Sequence, residues 1–283
     1  MDDRAAVILN ALSGLETRSL TATMRNPRSS ADRSFRGVSL YDYAVATGML
    51  PVKLGGGALA NGYFLVEAED GAKVTIAVAE VWPNASRKDV ILATEQDGEP
   101  VRAGVRLVLT GDHLAGRSVA GVVSIEVKTI APEPASVSTA TFPLSGLLDR
   151  PTTLDAVALA QGTTIDVTTV AASGHGGAPI TPRGYSGARL YELLDAAGIQ
   201  LDPQAHEDFL SKVVVIRGAD GHAVVIAGGE IEPRFMNGDV IVATRHDGAP
   251  LSPDDGAARL IVPFDRKPGR WAKGIVSIEL REG

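Results

Sequence analysis

The chain holds 283 residues, 45% hydrophobic and 22% charged, a composition that folds and is long enough for two cores of ordinary size. A net charge of −7 with no basic block, and only 5% aromatics, argues against a nucleic-acid partner, because phosphate binding draws on clustered Lys and Arg and base stacking on aromatic rings. The absence of cysteine excludes disulfides, thiolate metal sites and cysteine nucleophiles, and no apolar run reaches the roughly 18 residues that span a bilayer.

In chain order, the opening MDDRAAVILNALSGL is acidic and lacks the basic and apolar regions of a signal peptide. As written, the chain reads as cytoplasmic; a leader absent from the numbered residues would make it periplasmic. SLTATM (19–24) reads as a strand. A helix follows over VSLYDYAVATG (38–48), with apolar residues at i, i+3 and i+4 and Gly48 as its stop. Gly55-Gly56-Gly57 comes after that helix rather than after a strand, so it is a connection and not a phosphate-cradling loop. VEAEDGAKVTIAV (66–78) places Asp-Gly between β-branched runs, a hairpin signal, and DVILATEQDG (89–98) repeats the device. RLVLTGD (106–112) and GVVSIEV (121–127) add short strands. Residues 130–140 (IAPEPASVSTA) read as a linker.

Beyond the linker the order recurs. PTTLDAVALAQ (151–161) predicts a short helix, TTIDVTTV (163–170) a strand, and SGHGGAPITPRG (173–184) a glycine- and proline-rich loop. Then come a helix (188–198), an Asp-Gly hairpin (213–227), DVIVATRHDG (239–248), RLIVPFD (259–265) and GIVSIEL (274–280). From Gly37–Pro100 to Gly187–Pro250 a constant offset of 150 gives 20 identities over 64 positions, among them Asp70/Asp220, Glu80/Glu230, Pro83/Pro233 and Asp97/Asp247. After a three-residue insertion, DHLAGRSVAGVVSIE (112–126) matches DRKPGRWAKGIVSIE (265–279). The expected architecture is α+β: two tandem β-rich mixed-sheet domains with few helices, a shortened copy over 1–130, a linker over 131–140 and a fuller copy over 141–283.

The ordered series G-x-x-L-x-[DE] helix, Asp-Gly hairpin, Glu-x-x-Pro, D-G-x-P turn, R-L-x-V-P and G-R-W-x-K-G-I-x-S-I-E resembles the molybdopterin-binding domain of sulfite oxidase-type oxidoreductases. The likeness is fuller over 145–279 than over 13–126. It implies a compact α+β domain holding a molybdenum-pterin cofactor. It also implies a cysteine thiolate on the metal just after the strand preceding the G-x-x-L helix. Here that strand is followed by Ala171, Ala172 and Ser173, and in the first copy by Arg25 and Asn26, so no sulfur ligand stands at either place.

What the resemblance implies about binding falls on Arg270 and Lys273 of GRWAKG, as an anion clamp for the pterin phosphate or as the solvated ends of an edge strand. In the first copy Arg117 is kept but Ala120 replaces the lysine. Ser173 would be a serinate ligand or a plain loop serine, and His175 a site residue or a surface histidine. No histidine pair has metal-ligand spacing. Trp271 either lines a pocket or braces the Arg270 turn, and His222 and His246 flank hairpin turns. The reading is a relative without catalysis and with no cofactor expected, binding a small anionic ligand or a protein partner. Two alternatives stand beside it: a molybdopterin-dependent oxidoreductase with the cofactor in the second copy only, and a structural subunit whose two copies form a pseudo-dimer.

Overall fold

The computed structural model describes residues 3–52, 60–86, 88–136, 140–169, 182–235 and 238–283. The first half runs α1 (Asp3–Leu12), β1 (Thr17–Asn26), β2 (Ser29–Ser39), α2 (Leu40–Ala46), β3 (Gly62–Ala68), β4 (Lys73–Ala77), α3 (Val78–Val81), β5 (Val90–Gln96), β6 (Glu99–Pro100), β7 (Arg106–Leu109) and β8 (Val122–Thr129). The second half runs β9 (Thr141–Gly146), β10 (Thr152–Asp155), α4 (Ala156–Gln161), β11 (Thr164–Thr169), β12 (Arg183–Arg189), α5 (Leu190–Ala196), β13 (Lys212–Gly218), β14 (Ala223–Ala227), α6 (Gly228–Ile231), β15 (Ile241–His246), β16 (Ala249–Pro250), β17 (Arg259–Ile261) and β18 (Ile275–Glu282). The α2–β3–β4–α3 series returns as α5–β13–β14–α6 at an offset of 150, and β8 as β18 at an offset of 153. Among the described residues no helix is long and apolar enough to cross a membrane.

Each half builds two sheets. One carries the order β1-β2-β5-β6 with β7 on β5, matched by β11-β12-β15-β16 with β17 on β15. The other is β4-β3-β8 in the first half and β10-β9-β18-β13-β14 in the second, where β9 lies parallel to β18, so that sheet is mixed. The Asp97-Gly98 and Asp247-Gly248 turns have positive φ at both central residues, the conformation that matches the twist of the flanking strands. At Gly37 and Gly187 the register of β2 on β5 and of β12 on β15 shifts by one residue, and the neighbouring backbone approaches where a side chain would stand.

The halves differ at their front ends. LNALSG lies partly in α1 and packs on β8, whereas PLSG lies in β9, hydrogen-bonded along β18. The expected helix over 151–161 is corrected: residues 152–155 form β10, and the helix begins only at Ala156, capped by Asp155 Oδ1 accepting from the Ala158 amide at 2.7 Å. Threonines at 152 and 153 suit an edge strand on β9, and the pairing available there outweighs the local helical spacing. The residues read as linker are strapped down at Glu133 and Ser136, whose amides donate to Gly221 O and Ala219 O at the β13–β14 turn.

Two large apolar clusters fill the halves, and each recruits from the other: Leu210 and Phe235 lie in the first cluster, Ala60 in the second. Reciprocal bonds join the halves, with the His113 amide donating to Phe235 O at 2.6 Å and the Arg266 amide to Ala85 O at 2.8 Å. Residues 113 and 266, and 85 and 235, are counterparts under the offsets of 153 and 150, so this contact has approximate two-fold symmetry.

Candidate functional site

The charged residues common to both halves meet at their junction. α3 and α6 are single helical turns whose Glu80 and Glu230 fold back to accept from the Ala77 and Ala227 amides. Arg117 donates through Nε and Nη2 to both oxygens of Asp112 and through Nη1 to Glu80. Arg270 repeats this with Asp265 and Glu230. Arg117 and Arg270 are 0% and 2% exposed, so these are charge-assisted bonds shielded from water. Arg117 crosses the junction: a Cβ on Gly229 would lie 2.2 Å from its Cδ.

Lys88 makes the two sides unequal. Its Nζ lies 2.7 Å from Glu80 Oε2, and Gly238 stands at the equivalent place in the second half. Burial pushes the Glu80 carboxyl up, but Arg117 and Lys88 outweigh it and hold the group down at about 2. Glu230, equally buried, has Arg270 against it but Glu80 beside it, and rises from 4.5 to about 7. Between those two values the folded chain binds a proton that the unfolded chain releases, so this group's contribution to stability falls as pH rises from 4.5 towards 7. Glu230→Gln is expected to flatten that decline in a series of thermal midpoints from pH 5 to 8; an unchanged slope would contradict the assignment.

A second cluster occurs in the second half alone. Tyr185 on β12 stacks on His246 at the end of β15, with ring centroids 4.6 Å apart, and meets Trp271 edge-on at 5.8 Å. The Arg259 guanidinium lies 5.8 Å from the Tyr185 ring and 5.7 Å from that of Trp271, a cation–π arrangement. Asp255 accepts from Arg259 Nη1 at 2.9 Å and lies 4.0 Å from Lys273 Nζ. Trp271 is anchored by its indole N–H on Val262 O. Two buried polar atoms here, Tyr185 Oη and Arg259 Nε, have no hydrogen-bond partner among the described residues, while His246 Nε2 lies 3.2 Å from Asp247 Oδ2. Buried polar groups are nearly always paired, so this set is a place where a further polar group would be bound. The first-half counterparts are Phe35, Gln96, Arg106, Ser118 and Ala120, which lack the stacked rings and the lysine, although Arg106 Nε is likewise buried without a hydrogen-bond partner among the described residues.

The family model of the oxidoreductase molybdopterin-binding domain matches residues 131–283, just over half of the chain. The chain belongs to that family. No curated protein matches it. Among solved structures, the sulfane dehydrogenase SoxCD from Paracoccus pantotrophus is similar over 57% of this chain, at 19% identity and a TM-score of 0.41. The chain spans 43% of that protein.

The side chains of this family member do not fit a thiolate-ligated molybdenum centre. There is no cysteine in 283 residues, and among the described residues no group of three or more His, Asp or Glu could hold a metal ion. Arg270, read from the sequence as half of an anion clamp, is instead enclosed and committed to Asp265 and Glu230, while Lys273 stands 57% exposed beside Asp255. The two do not converge, because the arginine is drawn inward by carboxylates on its own turn and on α6. Ser173 and His175 lie outside the described residues, as does Gly55–Gly57. Tyr191 packs edge-on against Phe209, 5.7 Å between centroids. Sequence reading missed Tyr185 and Arg259. The available signal was the pair of substitutions Phe35 to Tyr185 and Ser118 to Trp271 within an otherwise matching repeat.

Proposed function

We propose that this chain is a tandem duplication of the molybdopterin-binding domain, over 1–130 and 141–283, that has lost the redox centre and binds a small anion in its second copy. The observation that carries this reading is the Tyr185–His246–Arg259–Trp271 cluster, in which Tyr185 Oη and Arg259 Nε are buried without a hydrogen-bond partner among the described residues and the exposed Lys273 stands at the margin. A guanidinium Nε and a phenol offer hydrogen-bond donors, and an ammonium nearby adds charge, which together suit an oxyanion such as sulfate or phosphate.

Calorimetric titration with sulfate and with phosphate tests it. Tyr185→Phe, which installs the residue the first copy already tolerates as Phe35, is expected to weaken binding about tenfold, the worth of one hydrogen bond to a charged group. Absence of binding by either anion, or affinity unchanged by both Tyr185→Phe and Arg259→Ala, would overturn the site. Protein purified from a host that makes molybdopterin is expected to lack stoichiometric molybdenum and pterin; one molybdenum per chain would overturn the lost redox centre.

A second reading takes the chain as a structural subunit in which an internal pair replaces a dimer. The reciprocal His113–Phe235 and Arg266–Ala85 bonds favour it. An oxidoreductase with its cofactor on Arg270, Lys273, Ser173 and His175 is the least favoured, because Arg270 already has its anions.

A further inference from the structure

Among the described residues, the charge cluster at the junction is one cation short. Glu80, Asp112, Glu230 and Asp265 supply four carboxylates, and Arg117, Arg270 and Lys88 supply three cations. On the first-half side the Lys88 ammonium lies 2.7 Å from Glu80 Oε2 and 3.7 Å from Asp112 Oδ1, with its side chain 11% exposed. On the second-half side Glu230 and Asp265 hold the matching places, but residue 238 is glycine. Glu230 Oε2 lies 2.8 Å from Arg270 Nη1, outside hydrogen-bonding geometry, and receives no hydrogen bond from the described residues although Glu230 is fully buried.

Gly238 also lines a cleft of about 330 Å³, together with Ile231, Pro233, Tyr191, Glu192 and Asp239. Their counterparts in the first half are Val81, Pro83, Tyr41, Asp42 and Asp89; the walls differ in the four-carbon stem that Lys88 adds and Gly238 lacks, and in Arg189, which stands where the first half has Ser39. The cation lining this cleft, Arg189, is already paired with Glu192 and Asp239.

We propose that the second half binds a primary alkylammonium group through this cleft, the ammonium taking the position on Glu230 and Asp265 that Lys88 Nζ takes on Glu80 and Asp112. The first half is the precedent for the geometry. A primary ammonium suits it better than a metal ion, because both Asp265 oxygens already accept from Arg270 and the free acceptor is a single carboxylate oxygen. Arg270, Glu80, Lys88, Asp265 and, across the junction, Arg117 are charges that act on Glu230. A proton competes for the same oxygen, since burial brings Glu230 to about 7, so the ammonium binds more tightly at pH 8 than at pH 6. This site is separate from the anion cluster around Arg259, and either can fail without the other.

The test uses the full chain at pH 8 and n-butylamine, whose cation is a lysine side chain cut from its backbone. The thermal midpoint is expected to rise by about 3 °C once the amine reaches tenfold above its Kd, and not with butyltrimethylammonium, which has the same charge but no N–H. Gly238→Lys is expected to raise the midpoint without ligand and to abolish the response to amine. Lys88→Gly is expected to lower the midpoint and to recover it in n-butylamine, which checks the geometry on the first-half side. A response to 1,4-diaminobutane but not to Nα-acetyl-lysine methylamide points to a free amine, and the converse to a lysine of a partner protein. Equal shifts with butylamine and butyltrimethylammonium, or a Gly238→Lys chain no more stable than wild type, would overturn the proposal.

Discussion

Arg117→Ala is expected to destabilise the chain by about 3–5 kcal/mol, the cost of leaving buried carboxylates without their cation. The guanidinium is fully buried, holds both oxygens of Asp112, and reaches both oxygens of Glu80 through Nη1. Burial disfavours its charge, but Asp112 and Glu80 outweigh that, so its proton is held more firmly than in water. Removing it leaves Lys88 alone against two carboxylates and opens a void beside Gly229. A denaturant midpoint falling at constant slope would give the size of the loss. Arg36, 55% exposed and 3.4 Å from Glu95, makes the control, where alanine is expected to cost about 0.5 kcal/mol or less. If the two substitutions cost the same, the junction is hydrated and the buried lock does not exist.

The second large effect comes from backbone proximity. An alanine Cβ at Gly187 would lie 2.2 Å from Val242 O and 2.5 Å from Ala243 Cα, and one at Gly37 would lie 2.1 Å from Leu92 O. Neither neighbour is the end of a flexible side chain, so β12 and β15, or β2 and β5, would have to part at the bulge. Gly187→Ala is expected to cost about 3 kcal/mol, the upper part of the range for overpacking. Gly248, at φ +78 with nothing within 4 Å, separates this cause from conformational preference. Alanine there is expected to cost only about 1–2 kcal/mol, the penalty of a left-handed residue. Equal losses at the two positions in a urea titration would show that the close approach is relieved.

Much of the fold was legible locally. The helix expected over 38–48 forms as α2 over Leu40–Ala46, with Ser39 as its cap and Gly48 at φ +75 just past its end, both signals carried by a few adjacent residues. Each Asp-Gly that marked a hairpin lies in a turn between strands, because the residues flanking it alternate in β-branched runs that need a tight reversal. The recurrence at 150 residues needed only alignment. What misled was context: residues 151–161 carry helical spacing throughout, yet the first part pairs with β9, an interaction that no local window contains.

The amino-acid order by itself determined the two-fold layout of strands and helices, the family, and the lack of any sulfur donor other than methionine, since these depend on residue identity and short-range spacing. Only the tertiary structure decided that Arg270 faces inward, because Asp265 is five residues away but Glu230 is forty, and the α6 turn brings the second carboxylate to it. It likewise decided that Tyr185, His246, Arg259 and Trp271 form one cluster. Those side chains come from β12, β15, β17 and the turn before β18, and strand pairing, not sequence proximity, sets the distance between them.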